Sequence, residues 1–321
     1  MILGLRRKML CIICLSEKNI AEMSKEHVFP ESIGGTFSIN TVCILCNNRL
    51  GSEVDHHLVN HALIEGQRLL KSLKGKSGSI PNPIAVGTLA TDSSQKLISR
   101  IEIGKPTVLY LTPSVVRSKG EDGTESIRVS VDSSEKHKLH EIVNKVRTRS
   151  GMPPLPQEEI DAAATPHQIE NPTVSINMDI DLIQFQKGIY KIAYELACTW
   201  IGEAYPHDPT ANLIRRRMFD TAPPDELQGK YLINGWIKLL GDERPVWMDD
   251  SQSHIAFLDK SREGKIRAYV RIFNIFEGSI IVSHEADRYS DFQARFLCIN
   301  PETGKCLLSS LSEAISRLGK R

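Results

Sequence analysis

The sequence predicts an α+β protein, with a small metal-organised module at the N-terminus and a larger α+β domain after it. Three observations support this class: two Cys-x-x-Cys pairs near the start, β-rich runs in the middle and late parts of the chain, and helical patterns between them. A length of 321 residues exceeds one small zinc module and is sufficient for two domains.

The composition is typical of a soluble globular protein, with 40% hydrophobic and 25% charged residues. The formal net charge is only +1, so contacts to nucleic acid have to come from local basic patches rather than from a basic field over the whole chain. The sequence contains no apolar segment of signal-peptide or membrane-spanning length. We therefore expect a cytoplasmic protein with no membrane partner.

The predicted domain boundary lies near the Gly-, Ser- and Pro-rich stretch "GKSGSIPNPI". We predict a module over residues 1–75 and a second domain of unknown specificity over residues 84–321. Within this domain, the runs "PTVLYLTP" and "SIRVSVD" predict the two strands of a hairpin. Residues 185–206 carry the strongest helical pattern, "DPTANLIRRRMF" predicts a shorter helix, a strand meander follows, and "LLSSLSEAISRLGKR" predicts a final helix.

Four of the seven cysteines have the spacing of a zinc site: Cys11 with Cys14, and Cys43 with Cys46. In the cytoplasm thiols stay reduced, so paired cysteines indicate metal ligands before disulfides. Each tight turn lets two thiolates bind one ion, and two turns complete the tetrahedral sphere that Zn²⁺ prefers. Because four sulfurs leave no open coordination position, the predicted zinc is structural.

The segment between the cysteine pairs carries residues suited to phosphodiester hydrolysis. This reaction needs an activated water and compensation of charge on the phosphoryl oxygens. A neutral imidazole takes a proton from water near pH 7, which makes His27 a candidate general base. Glu26 and Asn47 offer oxygens to a hard divalent ion, which keeps positions open for phosphate and water when few protein atoms hold it. Either Asn40 or Ser38 would orient the imidazole by a hydrogen bond.

These residue types also have simpler interpretations. His27 could be a surface histidine of a zinc knuckle, and an exposed carboxylate is the ordinary state of Glu26. Asn47 could cap a helix, because Asn is a favoured N-cap. What favours the catalytic interpretation is the order of the residues along one short segment.

This order resembles that of the HNH endonucleases, which have a ββα-metal fold. The resemblance covers about residues 9–60 and is closest to the zinc-stapled branch that ends in a CN-x-x-x-G motif. One departure is a Glu where the family more often has Asp or His before the catalytic His. The matching pieces are Glu26-His27, "PESIGG" at 30–35, Asn40 and "CNNRLG" at 46–51.

The resemblance implies a metal-dependent endonuclease that cuts DNA with one Mg²⁺ or Mn²⁺ ion. In this scheme His27 is the base, Glu26 and Asn47 hold the catalytic ion, and Asn40 belongs to the catalytic set. Members of the family are frequent in restriction and anti-phage defence, so the resemblance implies that context as well. The alternative is a non-catalytic zinc-stabilised protein that binds DNA or senses a ligand, which would need the cysteines but not His27.

Partners follow from the same interpretation. We expect DNA to contact basic residues around the module, and the second domain to recognise a DNA feature, a small molecule or a protein. A homodimer would suit double-strand cleavage by a nuclease with one site. The run Arg215–Arg217 is more typical of a solvated helix face than of a phosphate site. The basic residues around the module are Arg49, Arg68, Lys71, Lys74 and Lys76.

Overall fold

The computed structural model describes residues 8–102, 104–120, 123–177, 181–219, 236–239 and 253–318. The described residues form two compact units. The first combines Met1–Pro81 with Ile180–Arg321, and the second is Asn82–Asp179. The α+β class with an N-terminal module and a larger downstream part, predicted from the sequence, is confirmed.

The N-terminal part of the first unit consists of two antiparallel hairpins followed by short helices. The second hairpin runs directly into a helix, because Cys43 ends the strand and is also the N-cap of the helix. A π-helical turn, Gly51–Asp55, joins this helix to the next. The elements are β1 (Lys8–Leu10), β2 (Glu17–Asn19), β3 (Met23–His27), β4 (Ser38–Cys43), α1 (Ile44–Leu50), α2 (His56–Val59) and α3 (Ala62–Leu70).

The second unit contains an antiparallel sheet in the order β10-β5-β6-β7, a separate hairpin β8–β9, and two helices. The two runs predicted to form one hairpin do not pair with each other. The run "SIRVSVD" pairs with Ser114–Lys119, whereas "PTVLYLTP" pairs with the strand before it. Alternation of side chains identifies a strand but not its neighbour, which explains the error. The elements are β5 (Val86–Leu89), β6 (Asp92–Arg100), β7 (Val108–Leu111), β8 (Ser114–Lys119), β9 (Glu125–Ser130), α4 (Leu139–Arg149), α5 (Gln157–Ala163) and β10 (Val174–Ser175).

The C-terminal part of the first unit has two helices, an antiparallel sheet and a final helix, as the sequence predicts. The final helix is shorter than predicted, because "LLSS" at its expected start belongs to the strand Cys306–Ser310, which pairs with Arg295–Ile299. The sheet order within the described residues is β11-β14-β13-β12-β15-β16. The shorter helix begins at Pro209, and Asp208 before it accepts hydrogen bonds from Ser283 Oγ and Tyr289 OH of the sheet region. The elements are α6 (Leu182–Ile201), α7 (Pro209–Phe219), β11 (Trp236–Leu239), β12 (His254–Lys260), β13 (Ile266–Ile272), β14 (Phe276–Ser283), β15 (Arg295–Ile299), β16 (Cys306–Ser310) and α8 (Leu311–Leu318).

Helix α6 is the centre of the first unit. Every side chain from Lys187 to Ala197 is buried, and a helix that is buried on all sides has to lie between other elements. It contacts α2 on one side and β13 and β14 on the other. Gly188 permits the approach to α2, because a Cβ there would lie 2.9 Å from the side chain of Leu58.

The sequence predicts that residues 84–321 form one domain, whereas the compact units separate residues 82–179 from the rest of that range. The reason is long-range burial: Phe29 of the N-terminal module and Ile192 of α6 belong to one hydrophobic core. In the part of the chain that the structure describes, no helix has the length and apolar character needed to cross a bilayer.

Candidate functional site

The four paired cysteines meet in one cluster, as their spacing predicts. Their sulfur atoms all lie within 4.8 Å of one another. A tetrahedral zinc ion with Zn–S bonds of about 2.3 Å places its sulfurs about 3.8 Å apart, so the cluster has the right size and donor chemistry for this ion. The backbone N–H of Cys43 also donates to Cys11 Sγ at 3.3 Å, which favours the thiolate form that binds metal.

His27 is the last residue of β3 and is half-buried. Ser38 of β4 lies directly opposite it in the strand register, and Asn40 follows two residues later on the same face. Among the described residues, none hydrogen-bonds to the imidazole of His27. Partial burial lowers the pKa of this imidazole from its ordinary value, against an opposite effect of the Glu31 carboxylate. Orientation of the ring by Asn40 or Ser38 stays a prediction, and the register puts Ser38 nearer.

Asn47 lies on α1 and connects this helix to β3. Its amide nitrogen donates to Ser24 Oγ and to the carbonyl oxygen of Lys25, both at 3.0 Å. This orientation leaves the amide oxygen of Asn47 for another ligand, which fits a role toward a divalent ion. The alternative that Asn47 caps the helix is wrong, because α1 begins at Ile44 with Cys43 as its N-cap.

Glu26 faces a different environment from His27. Successive side chains of a strand point to opposite faces, and the Glu26 side chain is buried with only 3% of the residue exposed. Its Oε1 pairs with Lys191 Nζ of α6 at 2.5 Å. A carboxylate suits a hard divalent ion, but Glu26 would have to share its oxygens between that ion and Lys191.

The comparison with protein families covers this whole constellation. Residues 11–63 match the HNH endonuclease family. The match includes the cysteine cluster, Glu26, His27, Asn40 and Asn47, and it ends in α3. The predicted resemblance is therefore confirmed for this segment. A comparison of the whole chain with curated proteins and with solved structures finds no match.

Residues 11–63, which we call the HNH segment, contact charged residues of α6 that lie outside the match. The sequence did not indicate these residues as part of the site. Lys191 Nζ is fully buried and lies 3.4 Å from Asp55 Oδ1 and 3.6 Å from Glu195 Oε2, in addition to Glu26. Burial alone would lower the pKa of Lys191, but the carboxylates of Asp55, Glu195 and Glu26 together raise it above its ordinary value. Burial raises the pKa of Asp55 to about 6 and that of Glu195 well above its usual range.

A second residue missed by sequence, His254 of β12, holds the turn that follows His27. Its ring stacks on Phe29 with centroids 5.1 Å apart, and its Nε2 donates to the carbonyl oxygen of Ile33 at 2.7 Å. Its Nδ1 accepts the N–H of Phe273 at 3.3 Å. This pattern requires the neutral ring, because an imidazolium has no acceptor nitrogen.

The burial of His254 predicts acid sensitivity. Burial lowers the pKa of His254 from 6.5 to about 4. Between pH 6.5 and about pH 4, His254 is therefore protonated in the unfolded chain but neutral in the folded chain. The folded state consequently has its full stability with respect to His254 above pH 6.5 and loses stability as the pH falls toward 4. The loss amounts to about 3 kcal/mol. Urea denaturation at pH 7 and pH 4.5 should show it, and His254→Gln should lose less stability between these two pH values. Equal losses in both proteins would contradict the role of His254.

Three of the basic residues expected around residues 11–63 contact other side chains of the protein or are buried. Arg49 lies over the Phe219 ring with its Cζ 3.9 Å from the centroid. Arg68 is buried, and Lys71 pairs with Glu302. Arg215, the first residue of the arginine run, is also buried and donates to the Tyr194 hydroxyl at 3.0 Å, so this run is not a uniformly solvated face. Arg49 is exposed but pairs with Glu53, and the other exposed cations of this set are Lys74, Lys76 and Arg216.

Proposed function

We propose that the protein is a metal-dependent endonuclease that hydrolyses phosphodiester bonds in DNA. The observation that carries this proposal is the half-buried His27 imidazole, free of hydrogen bonds to the other described residues, at the end of β3 in a segment that matches the HNH endonucleases. A non-catalytic zinc knuckle has no use for a histidine in this position.

In the proposed reaction, His27 acts as the general base. Its neutral imidazole takes a proton from a water molecule while the water oxygen forms a bond to phosphorus. The bond from phosphorus to the 3′ oxygen breaks, and this oxygen takes up a proton from solvent. His27 lies close to α1 because Asn47 of that helix donates a hydrogen bond to Lys25 of the same strand, β3. The short 30–35 turn then leads from β3 to β4.

Two kinds of metal would serve different purposes. The four cysteines would hold a structural zinc ion, since they fill its coordination sphere. Asn47 and Glu26 would supply oxygens to one Mg²⁺ or Mn²⁺ ion, which when bound compensates negative charge on the phosphoryl oxygens. For Asn47 this role is supported by the amide oxygen, which makes no hydrogen bond within the described residues. For Glu26 the pairing with Lys191 limits the role to a shared carboxylate.

The substrate and setting are also part of the proposal. The exposed cations Lys74, Lys76 and Arg216 would contact DNA phosphates, which makes binding salt-sensitive and weakly dependent on sequence. The family resemblance supports a role in restriction or anti-phage defence in the cytoplasm. The remainder of the chain would recognise a DNA feature, a small molecule or a partner protein, and a homodimer would allow cleavage of both strands.

Nicking of supercoiled plasmid tests the proposed chemistry. The wild-type protein should nick the plasmid in the presence of Mg²⁺ or Mn²⁺, and nicking should stop when EDTA is added. His27→Gln should lose about 100- to 10,000-fold in rate, as expected when a general base is removed. His167→Gln, at an exposed histidine of the second unit, is the matched control and should nick like wild type.

The opposite results would favour the alternative function. If His27→Gln nicks as fast as wild type, His27 is not the base. If the wild-type protein binds DNA but cuts none across divalent metals and DNA substrates, a non-catalytic zinc-stabilised binding protein becomes the better description.

A further inference from the structure

One side chain from a distant part of the chain contacts the end of β3. Lys191 of α6 donates from Nζ to the carbonyl oxygen of His27 at 2.6 Å and to that of Val28 at 3.3 Å. The same ammonium pairs with the carboxylate of Glu26, the residue before His27. Three consecutive residues of the HNH segment thus converge on one nitrogen atom.

The burial of Lys191 makes this contact specific. A buried ammonium is tolerated only when acceptors surround it, and Lys191 has 0% side-chain exposure. Buried ion pairs contribute little to stability compared with well-packed apolar side chains of similar volume, so stability alone does not account for a lysine here. A role in positioning does account for the lysine, because its ammonium donates to two backbone carbonyl oxygens at once and so fixes the backbone of His27 and Val28.

The same helix also holds the zinc knuckle. Tyr194 follows Lys191 by three residues and therefore lies on the same face of α6. Its hydroxyl donates to the carbonyl oxygen of Ile12, between the first two cysteines. Helix α6 thus supports both the cysteine cluster and the strand end that carries His27, although it lies outside the segment that matches the family.

We propose that Lys191 is a positioning residue for His27: its ammonium holds the carbonyl oxygens of His27 and Val28 and the carboxylate of Glu26, and so fixes the imidazole relative to the phosphodiester. The proposal rests on the proposed function insofar as His27 is the base. In this proposal the catalytic site needs residues from both the HNH segment and α6, so the matched segment alone does not contain every residue that the site requires.

The test compares three variants of the full-length, zinc-loaded protein. Lys191→Met removes the donors while keeping an unbranched side chain, and Lys191→Arg keeps the charge. Lys187→Met is the matched control, because Lys187 is also buried on α6, one turn earlier, and within the described residues it makes no hydrogen bond or ion pair to β3. Plasmid nicking at several DNA concentrations separates kcat from KM, and zinc content is measured for each variant.

We expect Lys191→Met to lose on the order of 100-fold in kcat with KM unchanged, as a displaced catalytic group does. Lys191→Arg should recover part of the rate, and Lys187→Met should behave like wild type. A kcat for Lys191→Met equal to that of the control, or a loss that appears only in KM, would overturn the positioning role. If Lys191→Met does not fold, Lys191→Gln and Lys191→Arg carry the same comparison.

A second readout keeps this inference separate from the proposed function. Amide hydrogen exchange of the peptide covering residues 23–30 should be faster in Lys191→Met than in Lys187→Met, because the strand end loses its anchor. If the wild type cuts no DNA, the proposed function fails, and the exchange result alone decides whether Lys191 holds the end of β3. Equal exchange in the two variants would overturn that hold even where nicking is observed.

Discussion

Substitution of Cys11 by serine is expected to unfold the N-terminal hairpins of the first unit. Cys11 is fully buried, and its sulfur lies within 4.8 Å of the other three sulfurs. Structural zinc sites contribute about 10–16 kcal/mol to folding, which is as large as the whole stability of an ordinary domain, about 5–15 kcal/mol.

Zinc content and thermal unfolding measure this prediction. Cys11→Ser should bind far less than one zinc per chain and show loss of the cooperative transition, and a strong zinc chelator should have the same effect on the wild type. Cys306→Ser is the control, because Cys306 is exposed and lies outside the cluster. A Cys11→Ser protein that keeps its zinc and its melting temperature would contradict a structural metal at this cluster.

The cysteine cluster and the ββα order were predictable because both are local. Cys-x-x-Cys spacing places two sulfurs on one turn whatever the rest of the chain does, and the strand-to-helix junction follows at Cys43. The position of Asn47 on the first turns of α1 follows from the same junction. The roles of these residues in catalysis remain predictions, since spacing determines neighbours and not chemistry.

The support of His27 by Lys191 was not predictable, because the two residues are 164 positions apart. Periodicity identified α6 as a helix, but it did not show which element meets which face. One signal was present: Lys191 and Glu195 are opposite charges at i, i+4 within an otherwise apolar stretch, which indicates a buried polar cluster rather than a solvated face. The same long-range burial explains why the expected domain boundary differs from the compact units.

Replacement of Gly35 by alanine is the second substitution from which we expect a large effect. Gly35 ends the turn that leads from His27 toward β4, and its N–H donates to the carbonyl oxygen of Pro30 at 3.1 Å. A Cβ at this position would lie 1.8 Å from the carbonyl oxygen of Phe29 and 2.5 Å from its carbon. Both atoms belong to the backbone, so no rotation of a side chain relieves the clash, and the turn itself has to move.

We expect Gly35→Ala to lose about 3 kcal/mol of unfolding free energy, the upper part of the range for overpacking. Gly66→Ala is the matched control, because among the described residues no atom apart from its chain neighbours and its own helix backbone lies within 4 Å of its Cβ position on α3. There alanine should stabilise by up to about 1 kcal/mol through helix propensity. Urea denaturation of the two variants should therefore give changes of opposite sign, and a Gly35→Ala protein as stable as wild type would show that the turn is not tightly packed. Because the clash is with Phe29, two residues after His27, cleavage should fall in Gly35→Ala and remain unchanged in Gly66→Ala.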